Sequence, residues 1–372
     1  MGSDIRSKNK KNEAADPSGW KSFIITTLVL TLVFICLAAG MTIAVDPFFH
    51  YHAPLKGISY ILKDERYQND GIARNYEYDA LITGSSMSEN FRTSLADSLF
   101  GVKSVKTAFA GGYHKETGDM VERAVSYNPD LKLVIRSLDQ GFAWMDPDEP
   151  SPGAPEASFL SNDDLLDDKD YIFNKSVLFG YLPEIAVRTA KGVPSDNFDL
   201  YGNYAGDHPC GKEHVIADMG PLYHLEGTYP LTDEEEKILR ENMEKNFLKT
   251  PSEHPEIQFY YFFPPYSAAN WYKIYICAGR YDAYIKTMRI MTEMCNEYDN
   301  VHVFCFFDET DMVTDLDNYS DVSHYSLAIS DMLLSEMAVG SHELTKENRD
   351  AYWDQVEDFY ENYDYKTLLG DK

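Results

Sequence analysis

Apolar and polar positions divide this chain into an N-terminal apolar run, a long alternating region broken once, and an acidic end. Phe23 to Val45 reads FIITTLVLTLVFICLAAGMTIAV without one charged residue. At ~1.5 Å per residue such a helix is long enough to cross a hydrocarbon core of ~30 Å. A cleaved signal peptide is the competing reading. The run is longer than the apolar stretch of a usual leader, and no small-x-small site precedes Asp46, since Ala38-Ala39-Gly40 lies inside the run. The expectation is a transmembrane helix over 23–45, followed by the Pro- and aromatic-rich exit segment DPFFHYHAPLKG packed near the membrane surface.

From about Tyr78 the pattern becomes regular. Asp79 to Thr83 predicts a strand, Gly84-Ser85-Ser86 a turn, and Ser88 to Phe100 a helix closed by Gly101. Ser104 to Phe109 predicts a second strand ending in Ala110-Gly111-Gly112, His114 to Tyr127 a helix, and Leu131 to Arg136 a third strand. Strands alternating with helices at this spacing predict an α/β fold with a parallel sheet covered on both faces. The pattern is lost between about 145 and 230, in a Pro-rich and Asp-rich stretch followed by the Gly- and Tyr-rich Tyr201 to Gly206. That is too long for a simple connection and reads as an inserted lid beside the site. Alternation resumes with a capping box, Thr232 with Glu235, before a helix to about Leu248. Gln258 to Phe263 is a strand broken by Pro264-Pro265, Tyr281 to Glu297 a helix, and Val301 to Phe307 the last strong strand. Asp321-Val322-Ser323-His324 then opens a helix to about Val339. The expected organisation is an arm over 1–22, the span over 23–45, an α/β domain over 46–340 with its insertion, and an acidic tail over 341–372 ending in a surface helix.

Charge restricts function. The formal net charge of −28 over 372 residues excludes a nucleic-acid-binding role, which needs clustered Lys and Arg. The arm is the exception: Arg6, Lys8, Lys10, Lys11 and Lys21 stand against Asp4, Glu13 and Asp16. The positive-inside rule then places the N-terminus in the cytoplasm and the bulk of the chain outside it. Cys36 falls in the span, and Cys277, Cys295 and Cys305 read as buried free thiols rather than a disulfide framework.

The candidate chemistry lies at strand ends. Ser86, at a strand-to-helix turn, can serve as a nucleophile if a base is adjacent, with helix N-terminal amides facing a developing oxyanion. His324 can take the serine proton, and Asp321 can orient and charge-stabilise the imidazole. Each motif alone is weak; both falling at C-terminal strand ends, where open α/β sheets bind ligands, is what joins them. Tyr266 and Trp271, after the Pro264-Pro265 break, are candidates to line an acceptor groove. His208, Cys210 and His214 lack a second close ligand pair, and the Asp163 to Asp170 run lacks the glycine of an EF-hand loop, so neither metal nor cofactor is expected. His50 and His52 read as interfacial.

These blocks resemble the SGNH/GDSL hydrolase superfamily. Gly84-Ser85-Ser86 is similar to its first block, with Ser85 where Asp is usual, and Asp321-Val322-Ser323-His324 to its last. ERYQNDGIARNYEYDALITGSSMSENF, AFAGGYHKE, FFPPYS and YSDVSHYS further resemble the membrane-anchored DltD-like and alginate-O-acetylation-like branch of bacterial cell envelopes. The resemblance implies a flavodoxin-like three-layer sheet of SGNH type, with Ser86 as nucleophile, His324 as base and Asp321 as its partner. It implies an oxyanion hole from the backbone of Ser86 and of Gly111 or Gly112. The third-block Asn is missing: the matching strand end reads Arg136-Ser137-Leu138-Asp139-Gln140, where Gln140 can donate instead and an ionised Asp139 would repel an oxyanion. The implied function is an extracytoplasmic serine-dependent acyl esterase or O-acyltransferase. Its substrate would be a cell-envelope glycan, teichoic-acid-like or lipid-linked acyl ester, with a membrane O-acyltransferase as a partner. The alternative of another class is a non-catalytic scaffold of the same fold that binds envelope polymer.

Overall fold

The uncharged run does form one helix, α1 (Pro17–Val45), whose 27 residues from Gly19 to Val45 are apolar enough to cross a membrane. The computed structural model describes residues 17–370 apart from Asp163 and Leu165, so the basic positions Arg6, Lys8, Lys10 and Lys11 lie outside the described residues. Residues 20–37 of α1 expose their side chains, while Ala38 and Thr42 are buried against the rest of the chain.

The sheet has six strands: β1 (Ala80–Gly84), β2 (Ser104–Ala108), β3 (Leu133–Ser137), β4 (Gln258–Phe262), β5 (Val301–Phe304) and β6 (Glu343–Leu344). Their spatial order is β2-β1-β3-β4-β5-β6, with the first five parallel and β6 antiparallel to β5. Every residue of β1, β2 and β3 is buried, Lys106 and Arg136 included, so both faces of the sheet are covered. The strand order reverses between β1 and β3, where ligands of open α/β sheets bind beyond the carboxyl ends. After α2 (Glu65–Asn75), the helices α3 (Thr93–Phe100) and α4 (His114–Tyr127) follow β1 and β2.

Four expectations shift. The helix expected from Ser88 is a single tight turn at Ser86–Ser88, and α3 begins only at Thr93. Buried Lys106 is the cause: its ammonium donates to the carbonyls of Glu89 and Phe91, which a continuous helix would have used internally. Asp321 does not open a helix either. That helix is Leu327–Ala338, capped by Ser326, whose Oγ accepts from the Ile329 amide. The tail is no mere surface appendage, because it supplies β6 and the helix Arg349–Asn362, where Trp353, Val356 and Tyr360 at i, i+3 and i+7 are buried. The insertion is partly core: Tyr171, Tyr181 and Tyr201 are buried, and Tyr171 stacks on Phe48 of the exit segment at 5.2 Å. The capping box is present as read, with Thr232 Oγ1 accepting from the Glu235 amide and Glu235 accepting from that of Thr232.

Candidate active site

The turn after β1 can be built only by small residues. Gly84 has φ +131°, and a Cβ there would lie 2.3 Å from Ser137 Oγ and 2.6 Å from Ser88 Oγ. Ser85 is buried, its Oγ donating to Asp139 Oδ2 at 2.7 Å while its amide donates to Ser137 Oγ at 3.1 Å. Ser86 comes next and is the half-exposed residue among buried neighbours. The anchoring of Ser85 to the end of β3 thus fixes the backbone from which Ser86 projects.

The loop after β5 brings the second half. Asp321 Oδ1 accepts the amides of Ser323 (2.7 Å) and His324 (2.8 Å), a local turn that an Asp side chain makes without any helix. Asp321 Oδ2 meets His324 Nδ1 at 2.7 Å, and His324 Nε2 lies 2.8 Å from Ser86 Oγ, across 238 residues of sequence. Burial works to raise the Asp321 pKa. The hydrogen bond and charge of His324, with the two loop amides, outweigh it and hold the carboxyl at about 2. An ionised carboxylate can only accept, so Nδ1 carries the proton and Nε2 presents its lone pair to the Ser86 hydroxyl. The structure therefore brings Ser86, His324 and Asp321 into one hydrogen-bonded line.

A fourth side chain, absent from the sequence reading, joins them. Tyr204, in the inserted region, stacks on the His324 ring with centroids 4.0 Å apart, and its hydroxyl donates to Asp321 Oδ2 at 3.0 Å. His208 stacks on the other face of Tyr204, also at 4.0 Å. Burial and the Asp321 charge raise the Tyr204 pKa, so it remains a donor. The only sequence signal was the Gly- and Tyr-rich composition around it.

Other assignments change. The Gly112 amide donates to the Phe109 carbonyl at 2.9 Å and is not free for an oxyanion. The amides of Ser86 and Gly111 donate to nothing among the described residues, and Gly111, at φ +61°, is exposed. Gln140 is 1% exposed and sits beside Tyr275, with both amide atoms buried and neither in a hydrogen bond. Tyr266 does not line a groove. It is buried, and its hydroxyl donates to Asp139 Oδ1 at 2.8 Å. Trp271 is buried under the C-terminal helix, stacked on Tyr360 at 4.2 Å. Asp139 itself takes donors from Ser85, Ser137 (2.7 Å) and Tyr266, yet complete burial outweighs them and raises its pKa. Its carboxyl oxygens are thereby taken up inside the protein rather than aimed at an oxyanion.

No protein-family model matches the chain, and no curated protein matches it in sequence. Among solved structures, one described as a platelet activating factor from Streptococcus pneumonia shares 11% identity over 74% of this chain and 89% of that one, with a TM-score of 0.38. An acetyl xylan esterase from the rumen bacterium Butyrivibrio proteoclasticus shares 9% identity over 75% of this chain and 65% of that one, with a TM-score of 0.31. Likenesses this distant carry no argument.

Proposed function

We propose that the chain is a serine-dependent acyl-ester hydrolase or O-acyltransferase, with Ser86 as nucleophile, His324 as general base and Asp321 as the carboxylate that orients it. The observation that carries this reading is the continuous line Ser86 Oγ–His324 Nε2 (2.8 Å) and His324 Nδ1–Asp321 Oδ2 (2.7 Å) at the carboxyl ends of β1 and β5. Ser86 Oγ attacks the ester carbonyl as its proton passes to His324 Nε2. The oxyanion forms beside the unoccupied amides of Ser86 and Gly111. Collapse of that intermediate expels the alcohol, which takes the proton from His324, and leaves an acyl-Ser86. Water, or a second hydroxyl activated by the same imidazole, then takes the acyl group and restores the serine.

The finer reading is of the SGNH type. The strand order 2-1-3-4-5, the Ser86 turn after the first strand and the Asp-x-x-His loop after the fifth support it. The two departures from that pattern, Ser85 and Asp139, are hydrogen-bonded to one another, so the carboxylate missing beside the nucleophile is supplied from β3. This pairing favours the enzyme over a non-catalytic scaffold. With α1 as an anchor and the basic arm in the cytoplasm, the domain works outside the membrane on an acylated glycan, teichoic-acid-like or lipid-linked ester, and a membrane O-acyltransferase is a fitting acyl donor.

Purified full-length chain in detergent, given 4-nitrophenyl acetate with and without oligosaccharide acceptors, tests this reading. The expected result is nitrophenol release that disappears in Ser86→Ala. Acylated sugar marks a transferase and free acetate a hydrolase. Equal release by wild type and Ser86→Ala contradicts the proposal.

A further inference from the structure

The insertion presents an outward apolar face whose position along α1 identifies what covers it. Three consecutive pieces, Lys169–Ile172, Val177–Tyr181 and Leu182–Ala190, pack against α1. They are fixed there by Thr42 Oγ1 donating to the Ile172 carbonyl (3.0 Å) and Tyr171 OH donating to Asp46 Oδ1 (2.6 Å). Their inner side is core, with Val177, Tyr181 and Ile185 buried. Their outer side is not: Phe179 is 72% exposed and Val187 52%.

Pro183, Ala186, Val187 and Ala190 are all exposed at i, i+3, i+4 and i+7, one helical face, with Phe179 a turn ahead. The two charged residues of the same helix turn away from it, Glu184 towards Lys63 and Arg188 towards Asp196. Exposed Lys175 and Lys191 bracket the face at its two ends. Single exposed apolar residues are ordinary on any protein, but a charge-free helical face between two lysines is a surface built to meet something.

Depth says what. The apolar stretch from Phe23 to Val45 spans ~35 Å against a hydrocarbon core of ~30 Å. Thr42 and Ala38, on which the insertion packs, lie only ~5 Å and ~10 Å before the end of that helix. A unit held at those levels sits at the boundary between acyl chains and headgroups, the depth at which amphipathic helices bind membranes. We infer that the Phe179–Ala190 face docks on the bilayer that α1 enters, its apolar residues dipping into the acyl boundary and Lys175 and Lys191 meeting lipid phosphates. The insertion is then a membrane-resting foot. This inference depends on the membrane reading of α1 and is independent of the Ser86 chemistry.

The test uses the full chain in nanodiscs of phosphatidylcholine and phosphatidylglycerol, labelled with a nitrobenzoxadiazole maleimide at one cysteine at a time. In a Cys36→Ser, Cys210→Ser background, Phe179→Cys and Val187→Cys report the face. Glu347→Cys, beside β6 at the opposite edge of the sheet from β2, is the water-exposed control. A separate Cys210→Ser sample keeps Cys36, exposed on α1, as the marker for the span. Shallow spin-labelled lipids should quench positions 179 and 187 about twofold or more, while position 347 stays bright and Cys36 is quenched by deep spin labels. Quenching at Cys36 with positions 179 and 187 behaving like 347 overturns the docking inference and leaves the span standing. No quenching at Cys36 overturns both.

Discussion

Ser86 and Glu89 lie three residues apart, yet they belong to two clusters that handle charge in opposite ways. In the first, Asp321 and His324 keep side-chain exposures of 21% and 20%, every Asp321 oxygen has a donor, and the carboxyl is held at about 2. In the second, Glu89 is buried against Glu65, and burial followed by the Glu65 charge pushes its carboxyl up to about 9. Lys106 beside them is pushed down to about 8, chiefly by burial. The Glu65 carboxylate accepts the Ala110 amide at 2.7 Å, one residue before Gly111, so this second cluster braces the backbone of the candidate oxyanion site. A carboxyl thus stays ionised where proton transfer is needed and holds its proton where burial beside a second carboxyl braces the chain.

Breaking the first cluster should cost activity and spare stability. Ser86→Ala is expected to lower ester turnover ~10³-fold or more, with the melting temperature nearly unchanged, as read by nitrophenol release and differential scanning fluorimetry. Asp321→Asn keeps an oxygen for the loop amides but can donate to Nδ1, turning the wrong His324 tautomer towards Ser86; a fall of ~10³-fold in kcat is expected. Breaking the second cluster should instead change how stability depends on pH. The folded pKa of Glu89 lies above its unfolded value of ~4.3, so its contribution is full below that pH and is lost as pH rises towards the folded pKa. Urea unfolding of wild type and Glu89→Gln between about pH 5 and 7, below the range of Lys106, should therefore show wild type losing stability relative to the variant. The difference is at most ~1.4 kcal/mol per pH unit. A flat difference would show that Glu89 titrates normally. The smallest effect belongs to Tyr204→Phe, which keeps the stack on His324 and removes one hydrogen bond to Asp321. A three- to tenfold loss in kcat, about 1 kcal/mol, is expected, with KM unmoved.

What the sequence disclosed follows from what periodicity encodes. Ala80–Gly84 and the apolar start of Leu133–Ser137 are buried on both faces, so they stand out as mainly apolar segments, and the strand-end positions of Ser86 and His324 follow from the alternation around them. Periodicity does not say which way a strand-end aromatic turns. The motif alone therefore points Tyr266 and Trp271 into a groove, whereas one holds Asp139 and the other supports Tyr360. Nor does it register where a hydrogen bond is already spent, which separates Gly112 from Gly111. Tyr204 was hidden for another reason. It reaches Asp321 across 117 residues from a stretch with no repeating pattern, so only the path of the insertion brings it there. Acidity marks the tail as surface, although Trp353, Val356 and Tyr360 already mark an inward face.

The central claim is that Ser86 carries the acyl group, and covalent capture addresses it most directly. Full-length protein would be treated with a fluorophosphonate, which phosphonylates an activated serine, and the adduct located by intact mass and peptide fragmentation. The account predicts one adduct per chain, located at Ser86, abolished in Ser86→Ala and slowed in Asp321→Asn. Folded wild-type protein that takes up no phosphonate, or takes it up at another residue with Ser86→Ala labelled equally, would contradict it.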